Sequence, residues 1–167
     1  MRPIADIRLP AGTVCRGMRQ ARAVFAQHST WCYSSPLAGL VVDAHLTRWF
    51  DRWARKEGIT HQSLCRAVRE ILGGLYDADL GGGLLKKRVP RAGGGKSGGY
   101  RTLVATNRDS RWIFVYGFSK NERSNIDREE QLALKRLASH FLQMSDPDFT
   151  TAIERGEITK VNCHAES

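Results

Sequence analysis

Between residues 37 and 162 the chain switches between helical and strand periodicity at regular intervals. Residues 37–43 are apolar enough for a short strand, and Leu46, Trp49, Phe50 and Trp53 then fall at i, i+3, i+4 and i+7. That stripe predicts an amphipathic helix ending near Gly58. Thr60 is placed to cap a second helix, with Leu64, Val68, Ile71, Leu72 and Leu75 on one face and Gly73-Gly74 as its stop. Residues 84–90 and 99–107 read as two strands flanking a glycine-rich loop. An Asn-Arg-Asp-Ser turn follows at 107–110, and 111–118 are so uniformly apolar that they predict a buried third strand. Asp127 with Glu130 has the spacing of a capping box, opening a helix that carries Leu134, Leu137, Ala138, Phe141 and Leu142. A last short helix is expected from Asp146-Pro147 to Gly156, with residues 157–162 as a final strand. The pattern predicts an α+β fold: an antiparallel sheet of three to four strands with helices packed on one face, the other left open.

Residues 1–38 stand apart. They contain Arg2, Arg8, Arg16, Arg19 and Arg22, lack clear periodicity, and precede the first lysine of the chain, Lys56. An Arg-rich, acid-poor start resembles a transit peptide, but no secretory apolar core or cleavage site is visible. The expectation is a poorly ordered extension, or a start codon assigned too far upstream, followed by one domain over 39–163.

Charge sharpens the picture. Residues 84–123 hold Lys86, Lys87, Arg88, Arg91, Lys96, Arg101, Arg108, Arg111, Lys120 and Arg123 against only Asp109 and Glu122, which leaves +8 of the chain's net +9 in one quarter of its length. Such concentration on a β-region suits a polyanion, with phosphate contacts supplying much of the affinity. The four cysteines, Cys15, Cys32, Cys65 and Cys163, are scattered and form no C-x-x-C pair. They argue against a zinc site, give no disulfide framework, and favour a reducing cytoplasm. No apolar run is long enough to span a membrane.

Gly95-Lys96-Ser97 has the ending of a nucleotide-binding P-loop, but the context fails. The required first glycine is replaced by Pro90, and a strand-like stretch follows where a helix must begin. A flexible connector between two strands explains the glycines better.

Several local texts share a likeness: residues 50–58 (Phe-Asp-Arg-Trp-Ala-Arg-Lys-Glu-Gly), 80–89 (Leu-Gly-Gly-Gly-Leu-Leu-Lys-Lys-Arg-Val), 95–104 (Gly-Lys-Ser-Gly-Gly-Tyr-Arg-Thr-Leu-Val) and 118–126 (Phe-Ser-Lys-Asn-Glu-Arg-Ser-Asn-Ile). Together, over about 40–160, they resemble a branch of the RelE/HigB toxin family of bacterial type II toxin-antitoxin systems. The resemblance implies a small basic ribonuclease that cuts messenger RNA, commonly on the ribosome. It also implies an antitoxin, often with a helix-turn-helix, encoded beside it, and no metal or nucleotide cofactor.

Metal-free RNA cleavage needs a base for the 2′-hydroxyl, donors for the phosphorane and a proton for the leaving 5′-oxygen. His28, His45, His61, His140 and His164 do not neighbour the basic texts, so lysine and arginine carry the expectation. Alternation puts Lys86 and Arg88 on one face of their strand and Lys87 on the other. A lysine crowded by cations has a lowered pKa and can act as a base, while arginine suits a phosphate clamp. The resemblance places an arginine at Arg101 and matches Lys120 and Arg123. The expected catalytic set is therefore Lys86, Arg88, Arg101, Lys120 and Arg123, with Lys87, Arg91, Lys96, Tyr100 and Asn121 meeting RNA. Two positions depart from the family: Asn121 stands where it has a second arginine, and Asp127 where it has a tyrosine. Glu122 is open to two roles, a proton shuttle or an ion pair with Arg123 or Lys120. A non-catalytic nucleic-acid-binding module and a ParE-type gyrase poison on the same fold are the alternatives.

Overall fold

A computed structural model describes residues 43–91 and 99–163. The chain divides into units 1–34 and 35–167, and every described residue belongs to the second. The expected extension, most of the first predicted strand, and the loop with Lys96 lie outside the described residues.

Ten elements follow one another: β1 (Ala44–Thr47), α1 (Arg48–Lys56), α2 (His61–Leu72), β2 (Ala78–Asp79), β3 (Leu84–Pro90), β4 (Gly99–Thr106), β5 (Trp112–Ser119), α3 (Arg128–Gln143), α4 (Asp146–Glu154) and β6 (Ile158–Lys160). The sheet has six strands in the order β2-β3-β4-β5-β1-β6, all antiparallel except the parallel β1–β5 pair. It is larger than expected and mixed, because β1 sits beside β5 and α1 and α2 carry the chain away before β2. Two very short strands complete the edges: β6 falls within the strand expected over 157–162, while β2, two residues long, has little signal of its own.

The helices cover both faces. Phe50, Leu64, Val68, Leu85, Val89, Val104 and Phe114 form a core under α1 and α2. Leu84, Leu103, Ala105, Ile113, Val115, Phe118, Ala138 and Phe141 form a second core under α3 and α4. This corrects the one-sided arrangement. The cause is legible in β5, whose residues alternate between the two cores and are buried almost without interruption. A strand buried on both faces is apolar throughout.

Helix ends follow their capping residues. Thr47, Thr60 and Ser145 each accept a backbone N–H three residues on, from Phe50, Ser63 and Asp148. Asp127 and Glu130 close the predicted capping box, with Asp127 Oδ1 accepting from Glu130 N at 2.8 Å and Glu130 Oε2 from Asp127 N at 2.9 Å. The C-terminal end of α3 is held by Arg111, which donates to the carbonyls of Phe141 and Leu142 and pairs with Asp146. Arg111 is thus a structural cation at a helix C-terminus.

A disulfide joins Cys65 on α2 to Cys163 beyond β6, 98 residues apart. It overturns the expectation that the cysteines give no disulfide framework, and with it the support they lent to a reducing compartment, because only the three-dimensional return of the chain to α2 reveals the pair. At the same seam, Asn162 N donates to His61 Nδ1 at 3.1 Å. Among the described residues, no helix is long and apolar enough to cross a membrane.

Candidate functional site

The register of the central strands assembles the site. Arg88 lies directly opposite Arg101, and Arg101 opposite Phe118, giving one transverse row across β3, β4 and β5. Directly opposed residues point to the same face. Here it is the face of Leu84 and Leu103, which α3 covers further along the strands. Lys86, two residues before Arg88, joins the row from the same side of β3. Arg88 is exposed, while Lys86 and Arg101 are half-buried.

The turn after β5 brings in a third chain segment. Backbone N–H groups of Glu122 and Arg123 both donate to Ser119 O, folding the chain back at exposed Lys120 and Asn121. The Arg123 guanidinium then lies 5.7 Å from the Phe118 ring centroid, and the Lys86 ammonium lies 5.9 Å from it. Phe118 therefore forms a buried apolar floor under two cations.

Each cation is held. Lys86 Nζ donates to Asn125 Oδ1 at 2.9 Å. Arg123 donates through Nε to the Asn125 carbonyl at 3.0 Å and through both Nη groups to the two oxygens of Glu130. Its Nη1 also reaches Tyr116 Oη at 3.4 Å. Tyr116 in turn stacks on Trp49 of α1, centroids 4.7 Å apart. Glu130, and not Glu122, is thus the ion-pair partner of Arg123.

The electrostatics follow from these contacts. Partial burial lowers the Lys86 pKa below the ordinary lysine value, and the nearby charge of Arg101 lowers it further, while Asp77 pulls the other way. The bidentate hydrogen bond from Arg123 holds the Glu130 carboxyl down at about 2, and the same bond pushes the Arg123 guanidinium upward. Glu130 is ionised, and Arg123 charged, throughout the neutral range.

Other expected site residues go elsewhere. Lys87 points to the opposite face, buried, where Nζ donates to Leu75 O and pairs with Glu70 of α2, both at 2.6 Å. Tyr100 is a core residue on that face: its hydroxyl donates to Glu57 O at 2.9 Å, burial raises its pKa, and its ring meets Trp53 edge-on. Arg91 leans over the Tyr100 ring and toward Glu57, 3.8 Å away. The structure therefore brings together Lys86, Arg88, Arg101 and Arg123, with Lys120 and Asn121 on the adjoining turn, and takes Lys87, Arg91 and Tyr100 away from them. Asn125 and Glu130 were missed. Asn125 stood within the 118–126 text but was given no role, and Glu130 was visible only as half of a capping box.

The family model of the RelE toxin of the RelE/RelB toxin-antitoxin system matches residues 43–161. The chain belongs to the RelE toxin family. It is accordingly the toxin half of a toxin-antitoxin pair, and the family implies an antitoxin partner. A search of curated proteins found no match. The matched span begins beside β1 and ends just after β6, so it takes in every element of the sheet and the whole basic cluster.

Proposed function

We propose that this RelE-family toxin is an endoribonuclease that cuts messenger RNA without a metal ion, on translating ribosomes in the cytoplasm, and so stops protein synthesis and growth. The observation that carries the proposal is the Arg88–Arg101 pair with Lys86 beside it. Like charges directly opposite on one sheet face destabilise the sheet, and an anion seated between them relieves the repulsion. A phosphodiester is the anion that two bidentate guanidinium groups fit.

In the proposed reaction Lys86, as the neutral amine, takes the proton of the 2′-hydroxyl. The 2′-oxygen attacks the adjacent phosphorus, and Arg88 and Arg101 hold the non-bridging oxygens as negative charge grows on them. The bond from phosphorus to the 5′-oxygen breaks, that oxygen takes a proton from water, and Lys86 returns its own to solvent. The products are a 2′,3′-cyclic phosphate and a 5′-hydroxyl. Lys120, Asn121 and Arg123 line the path of the RNA strand, with Phe118 beneath. The neutral fraction of Lys86 limits the rate at neutral pH, and its lowered pKa enlarges that fraction.

Expression in a host lacking the antitoxin tests the proposal. The wild-type chain should arrest growth with rapid loss of messenger RNA, and the Lys86→Ala, Arg101→Ala double variant should grow. Arrest with intact messenger RNA and induced DNA-damage signalling would instead identify a gyrase poison.

A further inference from the structure

The basic cluster is tied to the start of α3 by an unbroken series of hydrogen bonds. Glu130, the third residue of α3, receives Arg123 on both carboxylate oxygens and also caps Asp127 N. Arg123 Nε holds the backbone carbonyl of Asn125, and the Asn125 side chain receives Lys86 Nζ, 39 residues away in sequence. We propose that Asn125 and Glu130 are positioning residues: Glu130 fixes Arg123, Arg123 fixes the Asn125 backbone, and Asn125 orients the Lys86 amine toward the Arg88–Arg101 pair. This deepens the nuclease assignment and rests on it for its catalytic meaning.

The chemistry of the amine explains why an amide serves here. A neutral lysine has two N–H groups and one lone pair. Giving one N–H to a neutral oxygen fixes the nitrogen and leaves the lone pair free to take a proton. A carboxylate at the same place would also fix it, but would stabilise the ammonium and keep the lone pair occupied. The charged groups around Lys86 are Arg101 on β4, Asp77 ahead of β2, Arg88 on its own strand and Arg123 across the Phe118 ring. Asn125 is thus the neutral contact in a cationic setting. Glu130 combines two jobs, because a capping box needs an acceptor at that position and glutamine would serve the helix as well. Only a carboxylate also receives an arginine through two charge-assisted bonds.

The test measures the Lys86 side chain directly and cleavage separately. In full-length protein labelled at lysine Cε, the Lys86 resonance is followed by NMR against pH in wild type, Asn125→Asp, Asn125→Leu and Glu130→Gln. RNA cleavage by the same proteins is followed over the same pH range. Asn125→Asp should raise the Lys86 titration midpoint by about 1 unit or more and move the pH–rate profile upward with it. Asn125→Leu should lower the rate roughly tenfold without changing RNA affinity or raising that midpoint. Glu130→Gln keeps the cap but loses the bidentate ion pair, so the protein should stay folded with a modestly lower melting temperature at neutral pH, a lower rate and a broadened Lys86 signal. A midpoint unmoved in Asn125→Asp together with an unaltered Lys86 signal in Glu130→Gln would overturn the proposal. A moved midpoint in a wild-type protein that cuts no RNA would support the positioning contacts and contradict the nuclease assignment instead. Misfolding of one variant leaves the decision to the others, because Asn125→Asp keeps the Lys86 contact but changes its charge, Asn125→Leu removes that contact, and Glu130→Gln weakens the separate Arg123 pair.

Discussion

Arg88 and Arg101 face each other across β3 and β4, with Lys86 close enough to Arg101 for its charge to be felt. A sheet arranged for stability alone would place an acid or a neutral residue in one of these positions. Replacing Arg101 by glutamine removes half of the opposed pair, a change of roughly 0.2–1 kcal/mol in favour of the fold. The sign for Lys86 agrees. Its folded pKa lies below its unfolded value, so its protonation costs stability below that folded pKa, and the cost fades as pH rises toward the unfolded value of about 10.4. Arg101→Gln relieves part of this cost at neutral pH. We therefore expect a melting temperature about 1–4 °C above wild type at pH 7, together with loss of cleavage, checked by calorimetry and an RNA assay on the same sample. A lower melting temperature would show that Arg101 is a structural residue. Wild-type cleavage itself should rise with pH through the lowered Lys86 pKa.

The pairing of α1 with β5 governs how the neighbouring aromatic surface is built. Gly117 lies under the Trp53 ring so closely that a Cβ there would come within 2.1 Å of Trp53 Cζ3. Trp53 stacks on Trp49, Trp49 on Tyr116, and Tyr116 accepts from Arg123. Gly117→Ala must displace the Trp53 ring, and overpacking of this kind costs typically 1–3 kcal/mol. Chemical denaturation should show a lowered midpoint with an unchanged slope; an unchanged midpoint would mean that the ring moves without cost. At this scale much was legible. Thr60 and the Asp127–Glu130 box fixed helix starts, and the 84–90 strand matched β3 residue for residue. The misses have local causes. Leu46 shares the helical stripe but lies within β1, where Thr47 ends the strand and caps the helix together. Leu75 continues the α2 stripe past Gly73 and is 63% exposed, since a periodic position beyond a helix stop has no face to bury.

At the scale of the whole molecule, the basic run that suggested one polyanion surface is divided by the pleat and the strand ends. Lys86, Arg88 and Arg101 go to one face, Lys87 and Arg91 to the other, and Arg108 and Arg111 to the opposite end, where Arg108 pairs with Asp79 and Arg111 with Asp146. Period-2 alternation made the Lys86/Lys87 split readable in the sequence. The Arg88–Arg101 register, the Asn125 contact and the Cys65–Cys163 disulfide were not readable, because each depends on residues brought together by pairing or by the return of the chain to α2. The covering of both faces could have been inferred from β5, whose apolar run leaves no polar face for solvent. In the proposed reaction Lys86 and Arg101 act on the transition state and do more than attract RNA. The most direct test compares purified wild type with the Lys86→Ala, Arg101→Ala variant, in chelator, on free RNA and on ribosome-bound message, measuring affinity, cleavage rate and the chemistry of the new ends. Affinity should stay within several-fold of wild type, the rate should fall by at least ~10²–10³, and wild-type products should end in a 2′,3′-cyclic phosphate. A double variant that cuts as fast as wild type, or a wild type that leaves both substrates intact, would contradict it.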